Sequence, residues 1–182
     1  IKFKKGKKFK IQKDSTIKAR GKPNNKVQIT AATEQPGWWR GIFKKGGALA
    51  TFDFEHTVIE YAGADDGKPS KRALLLNGGS ATLKMKNTTI RNTEGFGLYI
   101  QTDENVDILA FEDNKFENNT EAPMLLPGVL AGSLSATSDY TGNGNDVVWL
   151  KGGRTGRLDK NATFKDLGVR YYVAKYNNLV AK

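Results

Sequence analysis

The first twenty residues set a two-residue rhythm. Ile1, Phe3, Phe9, Ile11 and Ile17 alternate with lysines, so in an extended chain the apolar side chains face one way and the lysines the other. Further on, three segments superimpose without gaps: Phe54–Tyr61, Met85–Asn92 and Phe111–Asn118. Each begins on an apolar residue, carries Thr or Asn at its fourth position and Ile or Phe at its sixth, and they lie 31 and 26 residues apart. A second set falls between them: Gly41–Gly46, Leu74–Gly79, Leu98–Gln101, Met124–Gly128 and Val148–Gly153, at steps of 33, 24, 26 and 24 residues. Gly, Asn, Asp and Thr separate the apolar runs, and Gly and Asn suit tight corners because they accept positive φ. Helical periodicity is nearly absent, and the one short helical turn expected lies near Ala162–Leu167.

A repeat of this length, built of short strands without helices, predicts an all-β solenoid that stacks strand on strand. The 182 residues have room for about seven coils and one domain, spanning 1–182. The gapless alignment puts Ile59, Ile90 and Phe116 in one interior column. The chain opens on Ile1-Lys2-Phe3, already inside a strand-like pattern, as expected of a module of a longer chain.

Charge adds an axis to this picture. The chain carries 29 Lys+Arg against 19 Asp+Glu, a formal net charge of +10. Residues 1–26 hold eleven basic residues against Asp14 alone, residues 27–146 are net acidic, and residues 147–182 are basic again. A nucleic-acid protein spreads basic and aromatic residues along one groove, so this segregation disfavours that partner. With no Cys there are no disulfides, thiolate metal sites or cysteine nucleophiles, and a single His disfavours any His-based triad or cluster. No apolar run approaches the roughly 18 residues of a membrane helix, so membrane insertion is not expected.

Several phrases resemble the coils of right-handed parallel β-helix proteins of bacterial cell surfaces and secretions, which share their fold with pectate lyases. They include Ile17-Lys18-Ala19-Arg20-Gly21, Val27-Gln28-Ile29-Thr30-Ala31, Trp39-Arg40-Gly41-Ile42-Phe43, Val58-Ile59-Glu60-Tyr61-Ala62-Gly63 and Asn87-Thr88-Thr89-Ile90-Arg91-Asn92. The closing Leu167-Gly168-Val169-Arg170-Tyr171-Tyr172-Val173 is similar to the phrase with which such repeats hand over to a following module. The resemblance implies a right-handed, single-stranded parallel β-helix, a secreted or outer-surface location and a packing role for Trp39. Fold alone leaves function open.

Enzymes on this scaffold need carboxylates in one cleft, with Ca²⁺ and a basic residue for polyuronate lyases or two facing acids for glycoside hydrolases. Asp53 and Glu55 alternate with Phe52 and Phe54 and share one strand's outer face, which makes them the catalytic candidates. Asp65 and Asp66 in a Gly-bearing loop are the metal candidates, and Glu112-Asp113 lie further on. No polygalacturonase or pectate-lyase signature is present, so these carboxylates read first as a solvated outer face. His56 reads as an outward strand residue without a catalytic role. No cofactor is expected.

Trp38-Trp39-Arg40 is the most suggestive cluster. Indole faces stack on sugars, and a guanidinium holds carboxylate or sulfate. On a strand one Trp would face the core and the other outward, leaving Trp38 and Arg40 as a platform that Tyr61 and Tyr99 extend if their coils lie alongside. Lys4, Lys7 and Lys10 would add attraction for an anionic polysaccharide. The competing reading of those lysines is that they keep the open end of the solenoid from sticking to other chains. Asn87, Asn118 and Asn161 stand in N-x-[ST] matches and read as corner residues. The expectation is therefore a non-catalytic rigid or adhesive rod, with a polysaccharide-active enzyme and a self-assembling filament subunit as the alternatives. End-to-end and flanking-domain contacts complete the expected partners.

Overall fold

The computed structural model describes residues 1–12, 14–46, 49–65, 67, 71–101, 105–151, 157–158, 161–173 and 180–181. Its strands recur in triplets. The first is β1 (Lys2–Phe3), β2 (Lys8–Ile11) and β3 (Ser15–Arg20), and the second is β4 (Val27–Ala31), β5 (Gly41–Lys45) and β6 (Ala50–Glu55). The third is β7 (Thr57–Glu60), β8 (Arg72–Asn77) and β9 (Ala81–Lys86), and the fourth is β10 (Thr89–Arg91), β11 (Phe96–Ile100) and β12 (Val106–Glu112). A fifth begins with β13 (Lys115–Glu117) and β14 (Met124–Pro127), but a 3-10 turn, Gly128–Ser133, takes the third place. Then come β15 (Val147–Lys151), β16 (Arg157–Leu158), β17 (Arg170–Val173) and β18 (Val180–Ala181).

Each strand pairs in parallel with its counterpart in the next triplet. This gives a five-stranded sheet β1-β4-β7-β10-β13, a seven-stranded sheet β2-β5-β8-β11-β14-β15-β17 and a four-stranded sheet β3-β6-β9-β12. A short pair, β16 with β18, stands apart. The protein is all-β with parallel sheets, an arrangement compatible with a solenoid.

Alternation does the sorting. In the four-stranded sheet Ile17, Phe52, Leu83 and Ile108 form one inward column, and Ala19, Phe54, Met85 and Phe111 another. In the five-stranded sheet Ile29, Ile59, Ile90 and Phe116 stand in register and fully buried, as the repeat alignment requires. Phe116 continues the stack onto Tyr140, with ring centroids 5.9 Å apart and nearly parallel. Residues from all three sheets belong to one buried cluster. Each such side chain contributes about 1.5–3 kcal/mol on leaving water.

The corners follow from the short polar residues of the repeat. His56, Asn87 and Asp113 each form the bend that joins the four-stranded sheet to the five-stranded one, with φ of 45°, 48° and 53°. His56 is therefore a corner residue and not the outward strand residue that simple alternation implies. Behind this corner runs a buried ladder of Thr57, Thr88, Asn114 and Ser138. The Asn114 side chain accepts from the Thr88 amide (3.1 Å) and donates to the Met85 carbonyl (3.0 Å), while its own amide donates to Ser138 Oγ. Thr57, Thr88 and Asn114 are the residues at the fourth position of the repeat. A second column of left-handed residues, Tyr61, Asn92 and Asn118, ends the strands of the five-stranded sheet. Asn87 and Asn118 are thus corner residues, as their sequence context indicates.

Two details depart from the sequence reading. Residues 162–167 are irregular, and the helical turn lies at Gly128–Ser133, where it packs on β12. Lys44 occupies an inward position, between Ile11 and Leu76 in the register of the seven-stranded sheet. It is 2% exposed and turns its amine to the carbonyls of Gly46 and Gly78, and burial pulls that amine below the ordinary lysine value.

Candidate functional site

The segment from Ala32 to Arg40 links β4 to β5 and carries the tryptophan pair on a loop, not on a strand. Trp39 is fully buried, stacks on Phe3 at 4.3 Å and donates its indole N–H to the Glu60 carbonyl at 2.8 Å. This is the packing role that the resemblance implies. Close behind it, Gly41 opens β5 at φ 108°, where a Cβ would come within 2.4 Å of the Ala73 carbonyl oxygen.

Trp38 is half-buried against the edge of the same core. The turn between β1 and β2 is bound to it: the Gly6 amide donates to the Trp38 carbonyl at 2.8 Å, and the Arg40 amide donates to the Lys7 carbonyl at 2.7 Å. Lys5 places its ammonium 5.4 Å from the centre of the Trp38 ring. Tyr61 is adjacent, since its carbonyl accepts from the Trp38 amide at 3.1 Å. Its phenol lies 3.5 Å from Glu34 and is raised above the usual value, chiefly by burial and then by Glu34 and Glu60. A tyrosine at φ 61° stands where the two later triplets place asparagine, a backbone region that L-residues with large side chains rarely adopt. Trp38 Nε1 and Arg40 Nε are enclosed and have no hydrogen-bond partner among the described residues.

The structure therefore brings together Trp38, Arg40, Tyr61 and the exposed Lys4 and Lys7. Lys10 is outward on β2, one register step from Phe43 of β5. Tyr99 lies elsewhere, on the outer face of the seven-stranded sheet in a separate apolar cluster. Such an arrangement of indole, guanidinium and ammonium groups can hold an anionic sugar by stacking and charge-assisted hydrogen bonds.

The acidic candidates are otherwise engaged. Asp53 and Glu55 do share an outer face, but Arg20 donates to both oxygens of Asp53, at 3.1 and 2.8 Å, and lies 3.8 Å from Glu55. Glu112 pairs with Lys86 at 3.0 Å. Asp65 accepts from the Gly67 amide within its own loop at 2.7 Å, and Asp66 lies outside the described residues. No group of three or more His, Asp or Glu side chains gathers as a metal site among the described residues.

Sequence reasoning missed a second cluster. Along the outer face of the seven-stranded sheet, one register column runs Lys10, Phe43, Leu75, Tyr99, Leu125, Trp149 and Tyr172. Phe96 joins it from the start of β11, with its ring 6.2 Å from Tyr99 and 5.7 Å from Trp149. Two cations flank the column: Arg72 lies 5.1 Å over the Phe43 ring and Lys151 lies 5.5 Å over the Tyr99 ring. The signal was present in the repeat. Leu74-Leu75-Leu76, Leu98-Tyr99-Ile100, Met124-Leu125-Leu126 and Val148-Trp149-Leu150 are apolar triplets whose middle residue must face outward.

No protein-family model, curated protein or solved structure matches this chain.

Proposed function

We propose that this chain is a right-handed parallel β-helix of about seven coils that serves at the outer cell surface, or in secretion, as a rigid non-catalytic rod binding acidic polysaccharide. The observation that carries the reading is the succession of three parallel sheets in register around one apolar interior. Parallel crossovers are right-handed with few exceptions, and the seven strands of the longest sheet suit seven coils. Stacked parallel coils resist bending because every strand is tied to the next along the axis.

The first triplet supports the reading of its lysines. β1, β2 and β3 are edge strands of all three sheets, and Lys2, Lys8, Lys10 and Lys18 decorate them. Charged edges discourage pairing with another chain, which speaks for a rod over a filament subunit. The same charges, with Trp38 and Arg40 alongside, form the attraction for a polyanion. The lyase alternative draws no help from Asp53 and Glu55, because Arg20 occupies both.

Two measurements test the proposal. Small-angle scattering should give an elongated particle whose profile stays constant with concentration; a compact or concentration-dependent profile counts against the rod. Titration with an alginate-like polymer should weaken steeply between about 50 and 200 mM salt, and Trp38→Ala should weaken it at both. Calcium-dependent release of unsaturated product from polygalacturonate, lost in Asp53→Asn, would replace the rod with an enzyme.

A further inference from the structure

The outward apolar file of the seven-stranded sheet is largely buried, with Phe43, Leu75 and Leu125 each less than a tenth exposed. Trp38 is covered in another way. It packs on the edge of the main core and its indole nitrogen is enclosed, so what it can offer a ligand is a ring face. Over that ring stands one ammonium, that of Lys5, 5.4 Å from the centroid. Among the described residues no other lysine of the first triplet is so placed, and no carboxylate pairs with Lys5. Lys5 is itself exposed, so its long stem can swing aside.

The place of this lysine is set by the backbone that carries it. Lys4–Lys7 is a four-residue turn closed by the Lys7 amide on the Lys4 carbonyl at 3.2 Å, with Gly6 at φ 67° in its third position. Two further bonds fix the turn to the tryptophan loop, from the Gly6 amide to the Trp38 carbonyl and from the Arg40 amide to the Lys7 carbonyl. Lys5, in the second position, therefore projects from an anchored base beside Trp38. A cation over an exposed ring is held weakly, by an amount that shifts an equilibrium about twofold to fivefold. Such a cover is one that a ligand can exchange.

We propose that Lys5 selects anionic over neutral sugars at the Trp38 site, by covering the indole until a sugar carboxylate draws its ammonium aside. The proposal rests on the polysaccharide reading above and adds the residue that decides which sugars are taken. A pyranose can stack a C–H face on the indole only where the ammonium now stands. A uronic acid makes good what the lysine loses, because its carboxylate takes the displaced ammonium in a charge-assisted hydrogen bond. A neutral sugar gains the same ring but leaves the ammonium to water, so it bears the whole cost of the uncovering. Glu34 stands at the Tyr61 phenol, which orients the ligand carboxylate toward the lysine turn and away from that tyrosine. Lys4 and Lys7 are exposed on the same turn and attract polyanions in general, but neither is placed over a ring.

Two measurements on the full chain test the proposal, with circular dichroism checking that each variant is folded. The first is acrylamide quenching of tryptophan fluorescence. Lys5→Ala should raise the quenching, and the rise should be absent when Trp38→Phe is added, since Trp39 is fully buried. The second is isothermal titration with an oligogalacturonate and with a neutral cello-oligosaccharide. Lys5→Ala should bind the neutral ligand about twofold to fivefold more tightly and the anionic one about twofold or more weakly. Lys5→Arg should keep the wild-type preference. Lys4→Ala should weaken the anionic ligand mainly at low salt and leave the neutral one unchanged. An affinity of Lys5→Ala for the neutral ligand that equals or falls below wild type overturns the selection. If Trp38→Ala loses oligogalacturonate while Lys5→Ala merely matches Lys4→Ala, the site stands and Lys5 is one charge among several. Absence of oligogalacturonate binding in the wild type overturns the ligand class, and the selection with it.

Discussion

The four-stranded and seven-stranded sheets enclose the same interior but present opposite exteriors. Inward, both supply columns of Ile, Leu, Phe and Met that are nearly interchangeable in size. Outward, the four-stranded sheet is a row of threonines, Thr16, Thr51 and Thr82, beside rows of charges that neutralise one another from strand to strand. The seven-stranded sheet turns outward aromatic and aliphatic side chains that are mostly covered, with the buried Arg72 and Lys151 over two of the rings. Cross-strand charge pairs tie neighbouring strands together and leave nothing over for a ligand. The outward apolar file is itself largely buried, with Phe43 7%, Leu75 5% and Leu125 7% exposed, and so forms a second, smaller core. The difference teaches that in a stacked architecture the interior is dictated by the fold, whereas the exterior of each sheet is free to be specialised.

The strongest way to break the comparison is to attack what both faces share. Ile90 is fully buried between Ile59 and Phe116. Ile90→Asp places an unpaired charge in that column at a cost of several kcal/mol, and we expect a chain that fails to give a β-type circular dichroism spectrum. A soluble, folded variant would show that the column is not where the register puts it.

A milder change sharpens the picture of the seven-stranded face. Burial raises the Glu121 carboxyl, so the folded protein binds its proton more tightly than the unfolded chain does. Stability from this group is full below the ordinary carboxylate value and declines as pH rises through the folded value. Glu121→Gln should therefore raise the urea midpoint at pH 7, and the gain should vanish on acidification below about pH 4. An equal gain at both pH values would remove burial as the cause.

The smallest effect belongs to the charged face. Arg20→Gln releases Asp53 and Glu55 from their shared partner, so the urea midpoint should fall modestly at low salt and recover in high salt. A fall independent of salt would point to lost packing of the arginine stem instead.

How much of this was legible beforehand varies by residue. Ile59, Ile90 and Phe116 could be aligned because the segments carrying them superimpose without gaps, and strand register then follows from residue spacing alone. Asp53 and Glu55 were correctly placed on one face by alternation, yet their engagement with Arg20 was hidden, because Arg20 lies 33 residues away. Trp38 and Trp39 were misread as strand residues, since nothing local distinguishes a loop entering β5 from the strand itself. Lys44 defied alternation altogether: a lysine among Ile11 and Leu76 is tolerable only because two glycine carbonyls converge on its amine.

The sequence by itself determined the period, the all-β character, the column of Ile59, Ile90 and Phe116, and the asparagine corners. These depend on contacts at fixed spacing: side chains alternate every two residues, and Asn, Asp or Gly stand at most left-handed turns, His56 and Tyr61 being exceptions. Only the tertiary structure decided which outward residues meet. The loops between the five-stranded and seven-stranded sheets differ in length from triplet to triplet, so no constant spacing relates Tyr61 to Tyr99 or Arg72 to Lys151. Tyr61 went to the Trp38 corner and Tyr99 to the aromatic file because strand pairing, not chain distance, sets neighbours across a parallel sheet.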